Sequence, residues 1–179
     1  MSSHYFIGIS VSELVKEVCL EKQRELRNSI DFKVWTHPED LHITLKFLGA
    51  CTTEQIHQWT ARLKELPVPF RFPLKIGPAG YFGDQNHPRV LYVDVEKHSS
   101  LMTLKQKIEI LGKEIGFPTE KRSYSPHITL AKKWKEGIQP KNWLTEELNM
   151  EINYFCLYKI HPANKPKYEK TALFKLKGD

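Results

Sequence analysis

The chain has 179 residues, 40% of them hydrophobic and 11% aromatic, with 27 Lys and Arg against 21 Asp and Glu, a formal net charge of +6. Two separate domains would be crowded at this length, so we expect a single domain over residues 1–179. No apolar run approaches the ~18 residues of a membrane span, and the N-terminus lacks a signal-peptide pattern. We therefore expect a soluble cytoplasmic protein without a membrane partner, whose positive charge favours a polyanion.

The three cysteines, Cys19, Cys51 and Cys156, are far apart in the sequence and form no Cys-x-x-Cys pair. Their odd number and spacing argue against a disulfide framework and against a zinc ribbon. We expect them to be small buried hydrophobic residues.

The periodicity of apolar residues in the first half alternates between strand and helix. It predicts strands at 5–10, 32–35 and 42–48 and helices at about 12–27 and 53–66. Ser12 is the expected cap of the first helix, Thr52 or Thr53 that of the second, and Pro67 closes the second helix.

In the second half, strands are predicted at 70–76 and 90–95, on either side of the Gly- and Pro-rich segment 77–84, which favours a turn. Further elements are expected in this order: a helix at 99–115 and strands at 127–132, 152–160 and 171–176. Because strands and helices interleave without regular βαβ spacing, the pattern predicts an α+β fold with antiparallel pairing.

The tetrad His-Ile-Thr-Leu occurs twice, at 42–45 and at 127–130, each time in a strand-like context. Successive side chains of a strand point to opposite faces, so each His shares a face with its Thr while the Ile and Leu are buried on the other face. One copy would be a weak signal, since a lone strand histidine is usually structural. Two identical copies favour a site built from both.

Two imidazoles and two hydroxyls facing one cleft suit phosphoryl chemistry. Opening a cyclic phosphodiester with water requires one proton to be removed and another to be delivered, and histidine titrates near the working pH for both. His42 and His127 are therefore the candidate general base and general acid, in an order that the sequence leaves open. Thr44 and Thr129 are candidates to donate to the phosphate oxygens, and no metal or cofactor is required.

Two segments resemble the motifs of the 2H phosphoesterases, and within them the RNA 2′,3′-cyclic phosphodiesterases once described as 2′-5′ RNA ligases. Residues 38–49, Pro-Glu-Asp-Leu-His-Ile-Thr-Leu-Lys-Phe-Leu-Gly, are similar to the first motif of that family. Residues 122–132, Arg-Ser-Tyr-Ser-Pro-His-Ile-Thr-Leu-Ala-Lys, are similar to the second. The segment 88–92, Pro-Arg-Val-Leu-Tyr, resembles a stretch between them.

The resemblance implies a bilobal α+β fold, with two pseudo-symmetric lobes that each contribute an antiparallel sheet and helices around a central cleft. It implies hydrolysis of RNA or nucleotide 2′,3′-cyclic phosphate ends to 2′-phosphates by His42, His127, Thr44 and Thr129. The chain departs from the family at Lys132, where arginine is common, and lysine offers a point charge in place of a bidentate fork. It also lacks the arginine that often precedes the first motif's histidine.

Arg122, Tyr124 and Lys132 are further candidates for substrate binding, because a cation can meet phosphate and an aromatic ring can stack on a base. Tyr124 is equally expected as a core residue. Phe82 in the Gly-rich segment is a weaker candidate for stacking. The remaining histidines show no metal-ligand spacing, so we expect no metal site.

Two alternative functions stay open at this point, an RNA-end or nucleotide binding module that does not turn its ligand over, and a 2′-5′ RNA ligase. A metallohydrolase would differ from all three by sensitivity to a chelator. The expected partner is an RNA with a 2′,3′-cyclic phosphate end or a small cyclic-phosphate nucleotide, bound by a monomer.

Overall fold

The computed structural model describes residues 2–138 and 140–178. Its three helices are α1 (Glu13–Leu26), α2 (Thr53–Lys64) and α3 (Ser99–Glu114). Its nine strands are β1 (Ser3–Ser10), β2 (Ile30–Trp35), β3 (His42–Cys51), β4 (Phe72–Gly83), β5 (Pro88–Val95), β6 (His127–Gly137), β7 (Leu148–Ile152), β8 (Tyr154–Ile160) and β9 (Tyr168–Lys175). A short 3-10 turn, Pro38–Asp40, precedes β3.

The strands that carry the two tetrads, β3 and β6, are neighbours at the centre of one antiparallel sheet ordered β7-β4-β5-β6-β3-β1-β8-β9, with β2 added beside β6. They pair at Ile43 and Ile128, the residue after each histidine. This short contact joins a four-stranded half, β3-β1-β8-β9, to a five-stranded half, in which β2 lies beside the β6-β5-β4-β7 strands. The predicted α+β fold with antiparallel pairing in two lobes is confirmed, and the strands of the two lobes join into one sheet.

The tetrads are amphipathic in the way that strand geometry requires. Ile43, Leu45, Ile128 and Leu130 are each at most 1% exposed and belong to the main core, which also contains side chains from all three helices. The histidines and threonines face the opposite side of the sheet. Burying the apolar face against the helices therefore fixes the face on which the polar pairs emerge.

The predicted caps of the first two helices are present. Ser12 accepts a hydrogen bond from the backbone N–H of Val15 at the start of α1. Thr52, one of two expected caps, starts α2 with a capping box in which its side chain and that of Gln55 each bond the other residue's backbone N–H. These caps satisfy N–H groups that have no partner within the helix.

The segment 77–84 was expected to form a turn, and this prediction is wrong for most of its length, because β4 continues to Gly83. The register shifts between Ile76 and Ala79, so Pro78 lies in an irregularity where its missing N–H does not interrupt the ladder. The reversal comes later, at Asp84, whose side chain accepts from the N–H groups of Asn86 and His87. Such local acceptance is typical of an Asx turn.

The strand predicted at 152–160 corresponds to β8, Tyr154–Ile160, and its first predicted residue, Ile152, instead ends the separate strand β7. β7 pairs with β4, whereas β8, which begins after Asn153, pairs with β1 and β9. The chain passes from one lobe to the other at this residue. The sequence analysis did not predict β7, and periodicity alone does not show where a chain changes its pairing partner.

Candidate active site

The two tetrads open into one cleft of about 940 Å³, which His42, Thr44, His127, Thr129 and Lys132 all line. Each histidine is the first residue of its strand, at the point where β3 and β6 meet. The pseudo-symmetric arrangement expected from the repeat thus brings both imidazoles to the same space. The other walls come from α1, β2 and the loop 161–167 between β8 and β9.

Both imidazoles are held by the same backbone contact. The Nδ1 atom of His42 lies 2.7 Å from the carbonyl oxygen of Asp40, and that of His127 lies 2.7 Å from the carbonyl oxygen of Ser125. Because a carbonyl can only accept, Nδ1 carries a proton in each ring. Nε2 is therefore the nitrogen that can exchange a proton with a ligand in the cleft.

His42 lies in an aromatic environment formed by strands of its own lobe. Its ring centroid is 4.6 Å from that of Phe6 on β1 and 5.1 Å from that of Tyr168, which meets it edge-on. Phe6 in turn stacks on Tyr158 of β8 at 4.7 Å. Loss of water around the ring lowers the pKa of His42 to about 4, outweighing the opposite influence of the Asp40 carbonyl.

His127 has fewer neighbours of this kind. The ring of Phe82 on β4 meets it edge-on at 5.0 Å, and that of Tyr92 on β5 is 5.3 Å away. Phe82, the weaker stacking candidate, is therefore next to the site. Tyr92 comes this close because Gly80 has no side chain, since a Cβ at position 80 would lie 2.5 Å from the tyrosine ring.

The two threonines differ in their present contacts. The hydroxyl of Thr44 lies 3.0 Å from Nε2 of His42 and donates to it in the neutral ring. Thr129 lines the cleft on β6. Each threonine lies two residues after a histidine, on the same face of its strand. This spacing lets the hydroxyl and the imidazole bind the same ligand group.

Tyr124 lies between the two motifs and not along the cleft wall. Its hydroxyl donates to the backbone carbonyl of Thr44 at 2.9 Å, so the segment before one tetrad holds the backbone of the other. Burial raises the pKa of the phenol, which keeps it a donor. Arg122, in contrast, has a side chain that is 90% exposed, pairs with Glu120 and does not line the cleft.

Lysines concentrate where the two tetrads meet. Lys132 on β6 lines the cleft together with Lys165 and Lys167 of the 161–167 loop. Partial burial, followed by repulsion from Lys167 and Lys133, lowers the pKa of Lys132. A bound anion would relieve this repulsion.

Asp40 fastens the 161–167 loop to the site. The residue is 4% exposed, and its carboxylate accepts from the backbone N–H groups of Lys167, at 3.0 and 2.9 Å, and Tyr168, at 3.0 Å. The same residue's carbonyl orients His42. Asp40 therefore couples the position of the histidine to that of the lysine-bearing loop. Sequence reasoning missed it, since its partners lie at the far end of the chain.

Among residues 2–138 and 140–178, no group of three or more His, Cys, Asp or Glu side chains is arranged to hold a metal ion. Over the same residues, no helix is long and apolar enough to cross a membrane. All three cysteines are free and buried. Burial raises the pKa of the Cys19 thiol to about 12.

Comparison with known proteins gives consistent matches. A family model described as LigT-like phosphoesterase matches residues 9–92. An RNA 2′,3′-cyclic phosphodiesterase of Bacillus subtilis (strain 168) is 35% identical over 177 residues, which cover 97% of this chain and 96% of the relative. The chain belongs to the LigT-like phosphoesterase family. A relative of the same description from Thermus thermophilus is 33% identical over 97% of this chain and 90% of its own length.

Two solved structures have the same fold. The crystal structure of TT0787 of Thermus thermophilus superposes with a TM-score of 0.81 at 24% identity, covering 98% of this chain and 99% of that one. E. coli LigT complexed with 3′-AMP gives a TM-score of 0.79 at 19% identity, covering 99% and 100%. The two-lobed arrangement is thus shared at low sequence identity.

Proposed function

We propose that this protein hydrolyses the 2′,3′-cyclic phosphate at the end of an RNA, or of a small nucleotide, to a 2′-phosphate. The observation that carries the proposal is the pair of imidazoles in one cleft, each with Nδ1 tied to a carbonyl 2.7 Å away and Nε2 left for proton transfer. The names of its relatives, RNA 2′,3′-cyclic phosphodiesterases of several organisms, support the same reaction.

In the proposed reaction a water molecule attacks phosphorus opposite the 3′ oxygen. One imidazole takes a proton from the water while the P–O3′ bond breaks, and the other gives its Nε2 proton to the departing 3′ oxygen. The phosphate stays on the 2′ oxygen. After the product leaves, a proton passes from the first imidazole to the second through solvent, which restores the starting state.

We assign the base to His42 and the acid to His127. A general base must be unprotonated at the working pH, and the lowered pKa of His42, about 4, keeps its ring neutral. The 3.0 Å contact with the Thr44 hydroxyl is compatible with this assignment, because a hydroxyl can donate to an unprotonated Nε2. A ring with so low a pKa would rarely hold the proton that an acid must supply.

Thr44, Thr129 and Lys132 are proposed to bind the phosphate. In the transition state negative charge grows on the non-bridging oxygens, and donors fixed before the reaction stabilise it without reorganisation. The Thr44 hydroxyl would turn from His42 to a phosphate oxygen when the ligand enters. Lys165 and Lys167 face the same cleft and supply further positive charge.

The experiment is hydrolysis of a short RNA ending in a 2′,3′-cyclic phosphate, with EDTA present, by the wild type and by His42→Ala and His127→Ala. Loss of one proton-transfer group is expected to lower kcat about 10²- to 10⁴-fold, with the fold retained by circular dichroism. EDTA should have no effect, and the product should be the 2′-phosphate.

Binding of the RNA by the wild type without turnover would contradict the proposal and favour a binding module, and joining of RNA ends would favour a 2′-5′ RNA ligase. Activity lost with EDTA and restored by a divalent metal would indicate a metallohydrolase. We propose a cytoplasmic monomer, in keeping with three free, buried cysteines. Sedimentation of the purified chain tests the monomer.

A further inference from the structure

The cleft extends well beyond the two histidines. From the tetrads it continues between the second half of α1 and strand β2, where Arg24, Arg27, Lys33 and Trp35 form its walls. Its volume of about 940 Å³ is at the upper end of the ~300–1,000 Å³ that commonly holds one small ligand. We call these four residues the α1–β2 groove.

Hydrogen bonds between secondary-structure elements hold the walls of the groove in place. The side chain of Gln23 on α1 is 5% exposed, and its amide donates to the carbonyl oxygens of Thr36 and Leu130, both at 2.9 Å. These two bonds fasten the helix to the ends of β2 and β6. The spacing between Arg24 and the tetrad strands is therefore fixed by the fold.

The positive charges in the cleft are not neutralised by the protein. Six cations line it: Arg24, Arg27, Lys33, Lys132, Lys165 and Lys167. None of them forms an ion pair within the described ranges 2–138 and 140–178. Of the two carboxylates in the lining, Asp31 pairs with Lys135 and Asp40 is satisfied by backbone N–H groups. The cleft therefore presents unpaired positive charge along its whole length.

Arg27 and Trp35 form a flat surface within the groove. The guanidinium carbon lies 4.5 Å from the indole centroid, and the edge of Phe32 supports the indole at 5.6 Å. Unpaired bases of single-stranded RNA stack on aromatic rings and on guanidinium planes in this way. Positive charges beside a stacking surface are what a single strand requires, whereas an acidic peptide would not need the flat pair.

We propose that the α1–β2 groove binds the RNA strand on the 5′ side of the cyclic phosphate. The terminal ribose carries the cyclic phosphate on its 2′ and 3′ oxygens, so the chain can continue only through its 5′ oxygen. With the phosphate at the tetrads, the preceding nucleotide enters the groove. There Arg24 and Lys33 meet backbone phosphates, and one base stacks on the Arg27–Trp35 pair.

This inference rests on the proposed function, and it makes the enzyme prefer a polynucleotide end to a cyclic mononucleotide. The test compares kcat/KM for an oligoribonucleotide ending in a 2′,3′-cyclic phosphate with kcat/KM for 2′,3′-cyclic AMP. The groove variant is Arg24→Gln, Arg27→Gln and Lys33→Gln combined. The control variant combines Lys64→Gln, Lys97→Gln and Lys113→Gln, three exposed lysines outside the cleft, and removes the same charge.

The groove variant should reduce the oligonucleotide preference at least about tenfold, mainly through KM, and the control variant should keep the wild-type ratio. The dependence of log KM on log salt should also become less steep, by about 1.4 for the two lost phosphate contacts of Arg24 and Lys33. Arg27→Lys, which keeps the charge without the planar group, should lose part of the preference. An unchanged ratio in the groove variant, or an equal fall in both variants, would overturn the inference.

Direct binding separates failure of the groove from failure of the proposed reaction. Fluorescence anisotropy with a labelled oligoribonucleotide ending in a 2′-phosphate measures the groove without turnover. If the wild type hydrolyses no cyclic phosphate but binds this RNA more tightly than the groove variant does, RNA binding by the groove is supported and the proposed hydrolysis is contradicted. If the wild type hydrolyses both substrates, and the wild type and the groove variant bind the RNA equally, the proposed hydrolysis is supported and RNA binding by the groove is contradicted.

Discussion

His42 and His127 begin the same tetrad, and their Nδ1 atoms make the same 2.7 Å contact with a carbonyl two residues earlier, yet the rings have different surroundings. Phe6, Tyr158 and Tyr168 surround His42, and its Nε2 is in contact with a threonine. The ring of His127 has two aromatic neighbours, Phe82 at 5.0 Å and Tyr92 at 5.3 Å.

The difference shows which part of a repeat is copied and which part is not. The carbonyl two residues before each histidine fixes the tautomer of the ring, and the strand fixes the face on which the ring emerges; both are alike in the two lobes. The neighbours come from strands whose sequences are not repeated, and burial among those around His42 lowers its pKa. Two copies of one motif can in this way acquire opposite proton-transfer roles.

Among the variants that distinguish the surroundings of the two histidines, Asp40→Ala is expected to have the largest effect on activity. The substitution releases the 161–167 loop from the residue two positions before His42. Three hydrogen bonds from backbone N–H groups to a buried carboxylate are lost, and Lys167 and Tyr168 are no longer held at the cleft. We expect kcat/KM to fall on the order of 10- to 100-fold, in KM as well as kcat, because charge and orientation are both disturbed.

The control for this prediction is Asp84→Ala, which removes an aspartate that also accepts two backbone N–H groups, at the exposed turn after β4. Steady-state kinetics of both variants, with urea unfolding to measure stability, separates a local effect from general loosening. Equal losses of activity in the two variants would show that Asp40 has no special relation to the site.

A second prediction concerns the pH dependence of stability on the His42 side. Since the folded pKa, about 4, is below the usual ~6.5, the unfolded chain binds a proton at His42 that the folded chain does not. The free energy of unfolding should therefore decrease as the pH falls from about 6.5 towards 4, and this part of the decrease should be absent in His42→Gln. Urea unfolding across this range measures it, and NMR titration of the ring gives the midpoint directly.

A midpoint near the usual histidine value would contradict the assignment of His42 as the desolvated base. The corresponding comparison with His127→Gln serves as the control, because that variant keeps the His42 contribution. If the two glutamine variants lost the same part of the pH dependence, the aromatic surroundings of His42 would not be the cause.

The smallest effect is expected from Tyr124→Phe, which removes the one side-chain bond observed between the second motif's approach segment and the backbone of Thr44. Stability should fall by about 0.5–1.5 kcal/mol, the usual net value of such a bond. We expect kcat to fall only a few-fold. Tyr5→Phe is the matched control, because within the described residues the Tyr5 hydroxyl makes no hydrogen bond. Thermal unfolding and kinetics of both variants check the prediction.

Short-range features of the fold were predictable from the sequence. Alternation around each tetrad correctly assigned Ile43 and Ile128 to the core, and the caps of α1 and α2 follow from side chains next to the helices they start. These features depend on neighbours within a few residues. The repeat then indicated which two strands meet, although not that they pair at a single position.

The parts that sequence reasoning missed depend on long-range partners. Asp40 accepts hydrogen bonds from the backbone N–H groups of Lys167 and Tyr168. Almost every residue has a backbone N–H, so the sequence does not indicate which of them a distant carboxylate will bind. Proximity to His127 along the chain suggested Arg122 as a ligand group, but the structure directs it to Glu120 and solvent. Conversely, Arg27 and Trp35 come together only because α1 packs beside β2.

The most direct test of the roles proposed for the two histidines uses a cyclic substrate with sulfur in place of the 3′ bridging oxygen. A thiolate departs with little need of a proton, so a missing general acid matters less. We predict that the rate deficit of His127→Ala shrinks at least about tenfold on the sulfur substrate, whereas that of His42→Ala stays as it is on oxygen. Rescue of His42→Ala instead, or equal rescue of both variants, would contradict the account.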